Sequence, residues 1–393
     1  MQPMLPGEKR MDALRPLAAE LIASTHRLVA HGMPQLRALL RETLRPMNSF
    51  YTNKIEGQHT TPLMIERAMR ADFSDAPDEA KKQRIAIAHI ATERWGENAF
   101  QSFDAPAFFH PDTVKTIHQH LHAQLADADL IQKNSDGSVE IVQPGQWRAS
   151  GVKIGQHIPP DPATVPQFMD EWQRSYGKSS AGENALIAVI AAHHRLAWIH
   201  PFIDGNGRTA RLHSHLALNA LGLTHGLWSP MRGLARNHES YYTHLINADR
   251  DRQGNYDGRG VLSEQGLVSF IEFFMRICLD QASFMSSILD IAAFEARLTA
   301  MLAAEATKPE TKALKIEAAA PLAYLGTVAS LERTKFKGMM GLAARTADRT
   351  LADLFKLGII TSKSPKGPVE LALPIALFGY LFPRLWPEAE MQM

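Results

Sequence analysis

Residues 183–223 constrain this chain more than any other stretch. Two apolar runs, ENALIAVIAAHHRLAWI and TARLHSHLALNALGL, flank the segment HPFIDGNGR. Runs this long and this apolar predict two helices central to a core. The loop between them, with the start of the second run, holds a histidine, a carboxylate, two glycines around an asparagine, and two arginines three residues apart.

The rest of the chain reads as mainly helical. DALRPLAAELIASTHRLVAHG places Leu14, Leu17, Leu21 and Leu28 at helical spacing, with Gly32 as a stop signal. Thr60 or Thr61 can cap a helix that opens at Pro62. A helix is expected over 112–126, and further ones at TVPQFMDEWQRSY and on both sides of a polar loop within YYTHLINADRDRQGNYDGRGVLSEQGLVSFIEFFMRICLDQASFM. Residues 135–162 are rich in Gly and Pro, with β-branched pieces EIV and VKI, and predict a small hairpin or flap. Pro309 marks a boundary, after which MMGLAARTADRTLADLFKLGIITSKSPKGPVELALP reads helix, turn, helix and two short strands. That is the order of a winged helix-turn-helix. The expected division is 1–105, 106–295 and 296–393.

Composition narrows the function classes. Hydrophobic residues make up 45% and charged residues 21%, ordinary for a globular chain of this kind, and the net charge of +1 gives no bulk attraction to nucleic acid or membrane. The single cysteine, Cys278, rules out an intrachain disulfide and a cysteine-built zinc site. The N-terminal MQPMLPGEKRMD has no apolar core for a secretory signal. LALPIALFGYLF is interrupted by Pro374 and too short to span a bilayer. A cytoplasmic protein with no membrane partner is expected.

The loop has the parts of an anion cradle. Gly205 and Gly207 permit the tight backbone that points successive N–H groups one way, with Asn206 between them. A helix beginning near Gly207 adds its unpaired N–H groups and its dipole. Arg208 and Arg211 share a helix face and suit forked contact with phosphate oxygens. Asp204 is a hard oxygen ligand for Mg2+, and His200 can serve as a general base. Together these residue types point to phosphoryl or nucleotidyl transfer from a metal-bound nucleotide. Each part alone is more often structural: a turn, a loop histidine, a solvated helix face.

The stretch resembles the signature of the Fic family, His-Pro-Phe-x-(Asp/Glu)-Gly-Asn-Gly-Arg-x-x-Arg, at every fixed position from His200 to Arg211. VKIGQHIPP resembles the family's target-binding flap and YYTHLINAD its downstream nucleotide segment, so the likeness runs from about residue 45 to 280. The resemblance implies a Fic-type helical core with a small β-hairpin flap, and transfer of AMP from ATP to a Ser, Thr or Tyr hydroxyl of a protein, the enzyme itself included. It implies that His200 takes the hydroxyl proton and that Asp204 holds Mg2+. Gly205, Asn206 and Gly207 would form the anion hole, and the Asn206 side chain and Arg208 would touch phosphates. Arg211 would reach the terminal phosphate, and Phe202 would anchor the loop. Residues 141–154 would offer an edge to the target, Ile154, Gly155, Gln156 and His157 would cover the nucleotide, and Tyr241 would lie near the adenine. Tyr242 can equally be helix packing, and Asp249 carries no assigned role. The full Gly-Asn-Gly-Arg-x-x-Arg form argues against the Doc-like kinase branch.

TNKIEG, residues 52–57, fits the family's inhibitory pattern (Ser/Thr)-x-x-x-Glu-(Gly/Asn), contributed by Thr52, Glu56 and Gly57. Glu56 is expected to pair with Arg211 in the place of the γ-phosphate. The plain alternative is an exposed glutamate before a glycine helix stop. The reading is therefore an adenylyltransferase held off by Glu56. The alternatives are a de-AMPylase or other nucleotidyl or phospho transferase on the same fold, and a DNA-binding regulator with a nucleotide-sensing domain. Residues 331–370 carry eight Lys or Arg against four acids, with Arg345, Arg349, Lys356, Lys363 and Lys366 on the second helix and wing, which suits DNA. Protein contact or a homodimer is the competing use. A zinc enzyme on His193, His194 and His200 is disfavoured, because the spacing fits no helix pair and no further ligand completes it.

Overall fold

The computed structural model describes residues 1–30, 33–133, 139–179 and 181–385. Gly32 lies outside the described residues, as do 135–138 of the expected flap. The chain forms two compact units, one of residues 1–26 and 45–282, the other of 27–44 and 283–393. No single helix among the described residues is long and apolar enough to cross a membrane.

Helices α1 (Glu8–Ala30), α2 (Pro34–Ile55), α3 (Pro62–Met69) and α4 (Pro77–Ala99) open the chain. Thr61 caps α3: its hydroxyl oxygen accepts from Met64 N–H at 3.2 Å, and Pro62 takes the first helical position, where no N–H is missed. The short α5 (Ala105–Phe108) precedes α6 (Pro111–His122), which stops four residues before the expected end. Antiparallel β1 (Ile131–Lys133) and β2 (Val139–Ile141) follow.

The first unit is built around α8 (Glu183–Ile199) and α9 (Asn206–Ala220), which pack on one another. Both ends of α8 coincide with the apolar run: Gly182 at φ 78° precedes it and His200 at φ 49° follows it. From Ala185 to Leu196 every residue of α8 is buried. α7 (Val165–Tyr176) packs on α8, while α4 and α6 pack on each other and on α9. α10 (Pro230–Arg236), α11 (His238–Asp249) and most of α12 (Glu264–Ile288) complete this unit.

In the second unit α13 (Ile291–Glu305) packs on α14 (Ala319–Leu325). α15 (Arg333–Met340), a turn through Gly341 at φ 65°, and α16 (Ala344–Lys356) come next. β3 (Ile360–Thr361) and β4 (Glu370–Leu371) then pair antiparallel around SPKGP, and α17 (Phe378–Leu381) follows. The buried stripe Ala347, Thr350, Leu351 and Leu354 leaves Arg345 and Arg349 exposed on α16.

One expectation about the flap changes. Residues 142–153 form no strand, so 141–154 is not a continuous hairpin edge. The extended pairing lies earlier, between 131–133 and 139–141, and the VKI segment makes only the Ile154–His157 bridge. β-branched residues favour extended backbone, but a strand needs a partner at the right register, which VKI lacks.

Candidate active site

The loop from His200 to Gly205 is held by its surroundings rather than by regular structure. Arg148 is 3% exposed and has three carbonyl partners: Nε donates to His200 O at 2.8 Å, Nη1 to Ser150 O at 3.0 Å and Nη2 to Pro160 O at 2.5 Å. Its backbone N–H donates to Pro201 O at 2.8 Å. Asn206 closes the loop on itself, with Nδ2 donating to Phe202 O at 2.8 Å and Oδ1 accepting from Phe202 N–H at 2.9 Å. Its side chain is thus committed to the loop, and what it can offer an anion is its backbone N–H at the helix start. Phe202 is 1% exposed and stacks on His118, ring centroids 3.7 Å apart.

His118 has a definite proton arrangement. Gly145 N–H donates to its Nδ1 at 2.9 Å, so the neutral ring carries its proton on Nε2 and donates to Asp204 O at 3.0 Å. Burial keeps this ring neutral by lowering its pKa well below the usual value. α6 and the segment around Gly145 therefore both fix the loop that bears Asp204.

α9 begins at Asn206, one residue before the expected start, with Gly205 left-handed at φ 78°. A Cβ at Gly205 would lie 2.7 Å from His122 Cε1. Burial lowers the His200 pKa to about 4, with the neighbouring His157 and Arg148 adding to the effect. The imidazole is therefore neutral at pH 7 and able to accept a proton. Asp204 is 40% exposed along its side chain and accepts at Oδ2 from Arg208 Nη2 at 2.9 Å. Burial pushes its pKa up, yet Arg208 and the Gly205 N–H outweigh this and hold it below the usual value. An ionised, solvent-facing carboxylate beside an anion cradle fits Mg2+, which keeps waters and takes few protein ligands. Arg208 is 2% exposed, and its Nε and Nη1 have no hydrogen-bond partner among the described residues. Buried guanidinium nitrogens without an acceptor are what a phosphate would satisfy.

Arg211 is occupied. Its Nε donates to Thr52 Oγ1 at 2.8 Å, and Nη2 donates to Thr52 O and pairs with Glu56 Oε1. Thr52 lies in the last turn of α2, and Glu56 follows the helix end, where Gly57 at φ 71° turns the chain. Gly57 thus ends the helix, and Glu56 reaches the arginine. A Cβ built on Gly207 would clash with Glu56 Oε1, so the carboxylate sits against the cradle backbone.

Ile154 and His157 exchange both backbone hydrogen bonds, 3.0 and 2.9 Å, around a tight turn with Gly155 at φ 57° and Gln156. His157 Nε2 lies 2.8 Å from Trp198 O, which fastens this turn to the end of α8. Asp249 is 3.1 Å from His194 Nε2 and 3.9 Å from His157 Nδ1, so it links α11, α8 and the turn. Tyr241, expected beside an adenine, is 2% exposed and its hydroxyl lies 2.7 Å from His193 Nε2. Ser214 donates to Ala210 O and so accepts from His193 Nδ1 at 2.7 Å, which makes Nε2 the acceptor for Tyr241. Tyr242 is the more exposed of the pair, 41%, and its hydroxyl donates to Ile55 O at 3.1 Å. His193 and His194 use separate partners and do not converge with His200 on a metal.

Arg148, His118 and Asp249 had no assigned role at the sequence level. Their partners lie 27 to 86 residues away for His118 and 52 residues away for the Arg148 bond to His200, so no local pattern announces them. The pair His118 and His122, four apart on one face of α6, was the available signal.

Residues 108–218 match the model of the Fic/DOC family. Over 131 residues the chain is 33% identical to the protein adenylyltransferase Fic of Drosophila mojavensis, an overlap of 33% of this chain and 24% of that protein. Over 97 residues it is 37% identical to the protein adenylyltransferase Fic of Drosophila willistoni, covering 24% of this chain and 19% of that one. The chain thus spans a quarter or less of the curated relatives it matches here. The crystal structure of a Fic family protein from Desulfovibrio desulfuricans G20 superposes with a TM-score of 0.51 at 19% identity, over 91% of this chain and 97% of that one. A Fic domain containing signaling protein from Bacteroides thetaiotaomicron VPI-5482 gives 0.50 at 15% identity, over 69% and 97%. Residues 108–218 of this chain, with the loop and the start of α9 inside them, are a Fic/DOC-family domain.

Proposed function

We propose that the protein is an ATP-dependent protein adenylyltransferase held inactive by its own Glu56. The observation that carries this reading is the occupied cradle: a complete loop from His200 to Arg211 whose last arginine is bound by Thr52 and Glu56. In the reaction, a hydroxyl oxygen of the target protein attacks the α-phosphorus of ATP. The bond from that phosphorus to the α,β-bridging oxygen breaks, pyrophosphate leaves, and the hydroxyl proton passes to His200 Nδ1 or Nε2. The chain's part is largely positioning and charge: N–H groups at 205–207 for phosphate oxygens, and Arg208 and Arg211 for the developing charge. Asp204 would hold Mg2+, which neutralises phosphate charge. With Glu56 on Arg211, the terminal phosphate has no counter-charge to bind.

The test is label transfer to protein from α-labelled ATP with Mg2+. A charged hydrogen bond contributes about 1.5–3 kcal/mol, so Glu56→Gly is expected to raise transfer about ten- to a hundredfold. His200→Ala in that background is expected to abolish it. Folded Glu56→Gly protein with the wild-type rate would overturn the inhibitory role. Label that persists without His200 would overturn the assigned base.

We propose for 331–370 a winged helix-turn-helix that contacts nucleic acid or protein. The supporting observation is the exposed pair Arg345 and Arg349 on the α16 face opposite its buried stripe.

A further inference from the structure

A second cluster of chemistry-bearing residues lies in the core of the first unit, outside the loop. Glu93 and Glu97 stand one turn apart on α4, and His215 faces them from α9. One oxygen of each carboxylate and one ring nitrogen of His215 lie within 4.8 Å of one another. Glu93 and His215 are each 1% exposed. His89, one turn before Glu93 on α4, is 0% exposed, and its Nδ1 is 3.7 Å from Glu93 Oε2.

One oxygen of each carboxylate is held by a side chain outside the cluster. Arg45 Nε and Nη2 donate to Glu97 Oε2 at 3.1 and 2.6 Å. Asn48 Nδ2 donates to Glu93 Oε1 at 2.7 Å, and Ser229 Oγ–H donates to Asn48 Oδ1 at 2.6 Å, which fixes the amide orientation. Other polar atoms of the cluster are not satisfied. Glu93 Oε2 and both ring nitrogens of His89 and of His215 have no hydrogen-bond partner among the described residues. His215 Nε2 comes to 3.2 Å from Glu93 Oε1 and 3.9 Å from Glu97 Oε1, yet makes a hydrogen bond to neither. Several orphaned polar atoms together in a core call for a missing partner.

We propose that Glu93, Glu97 and His215 bind one divalent transition-metal ion of the zinc class. Atoms that share a cation direct their lone pairs at it and not at each other, which accounts for close contacts without hydrogen-bond alignment. Tetrahedral bonds of about 2.0 Å place neighbouring ligand atoms about 3.3 Å apart, close to the contacts at 3.2 and 3.9 Å. Imidazole with carboxylate suits zinc better than magnesium or calcium, and a buried site cannot supply the waters that magnesium keeps. Two carboxylates balance the dication. Arg45 and the Ser229–Asn48 pair orient the ligands from outside, as the outer shell of a metal site does. With Glu93 and His215 each about 1% exposed, the site is closed to a substrate and is structural. It joins α4 to α9 one helical turn beyond Arg211, and its outer shell comes from α2.

The full chain, stripped with chelator, would be titrated with Zn2+ and separately with Co2+ as a spectroscopic probe. The proposal expects one Zn2+ per chain, a higher Tm on loading, and the intense visible bands of tetrahedral Co2+. His215→Ala and Glu93→Gln are each expected to weaken Zn2+ binding by about a hundredfold or more. Folded wild type that takes up no Zn2+ would overturn it, and the cluster would then be an imidazole–carboxylate ion network. Uptake unchanged in a folded variant would also overturn it. Where neither variant folds, the wild-type Co2+ spectrum decides: weak octahedral bands reject the site.

Discussion

Arg148 gives three separate nitrogens to three carbonyls, two of them in the flap segment and one on His200. Without it those part-buried oxygens lose their donor, and a buried unsatisfied group costs about 1–3 kcal/mol. Arg148→Met is therefore expected to lower stability by about 3 kcal/mol or more in thermal or denaturant unfolding. In the Glu56→Gly background it is also expected to reduce kcat more than KM, because Arg148 positions the loop bearing His200 rather than holding nucleotide. Arg148→Lys should rescue neither, since an ammonium cannot reproduce the planar fork. Recovery of both in the lysine variant would show that charge alone is needed there. The role of such a residue is invisible in sequence, because nothing near position 148 names its partners. Glu56 was the opposite case: the resemblance of TNKIEG to the Fic family's inhibitory pattern was what opened its pairing with Arg211 to expectation.

At the scale of elements, the turn between α8 and α9 decides whether the cradle exists. Gly205 stands at φ 78°, and the nearest atom to an added Cβ is a buried histidine carbon at 2.7 Å. Gly205→Ala thus combines left-handed backbone with a clash against His122. It is expected to destabilise the protein by about 2 kcal/mol or more, seen as a lower denaturation midpoint with unchanged m. A neutral result would mean that His122 moves aside freely. α8 was legible to the residue, Glu183–Ile199, because a mostly apolar run ends at His200-Pro201, where a helix cannot continue. α3 was legible from Thr61-Pro62 for a similar local reason. The strands were not. EIV and VKI look alike in sequence, yet only residues 139–141 find a partner, since pairing is a tertiary event. Tyr241 and Tyr242 show the same limit, because neighbouring residues on a helix point to different surroundings and periodicity alone did not say which faced the core.

Across the first unit, several histidines are buried as neutral rings. Burial lowers the pKa of His118 and His193 well below the ordinary value and that of His200 to about 4. In the unfolded chain the same rings protonate near pH 6.5. Between these values the unfolded state holds more protons, so stability contributed by neutral burial is complete above pH 6.5 and is lost as pH falls toward 4. Each such ring contributes a slope of about 1.4 kcal/mol per pH unit in that window. Chemical denaturation at pH 7.5 and pH 5 should show a clear loss at the lower pH, and equal stability at both would contradict neutral burial. The position of Gly207 carries a last consequence. The gap left by its missing Cβ is filled by a carboxylate of the same chain, tethered on the residue directly after α2. In the proposed reaction, nucleotide and tether contend for one seat, and the tether is always present at high local concentration. Raising ATP then hastens its own entry only up to the rate at which the tether lets go. Beyond that, the observed binding rate should become flat in ATP concentration, and the plateau would measure how fast the end of α2 opens.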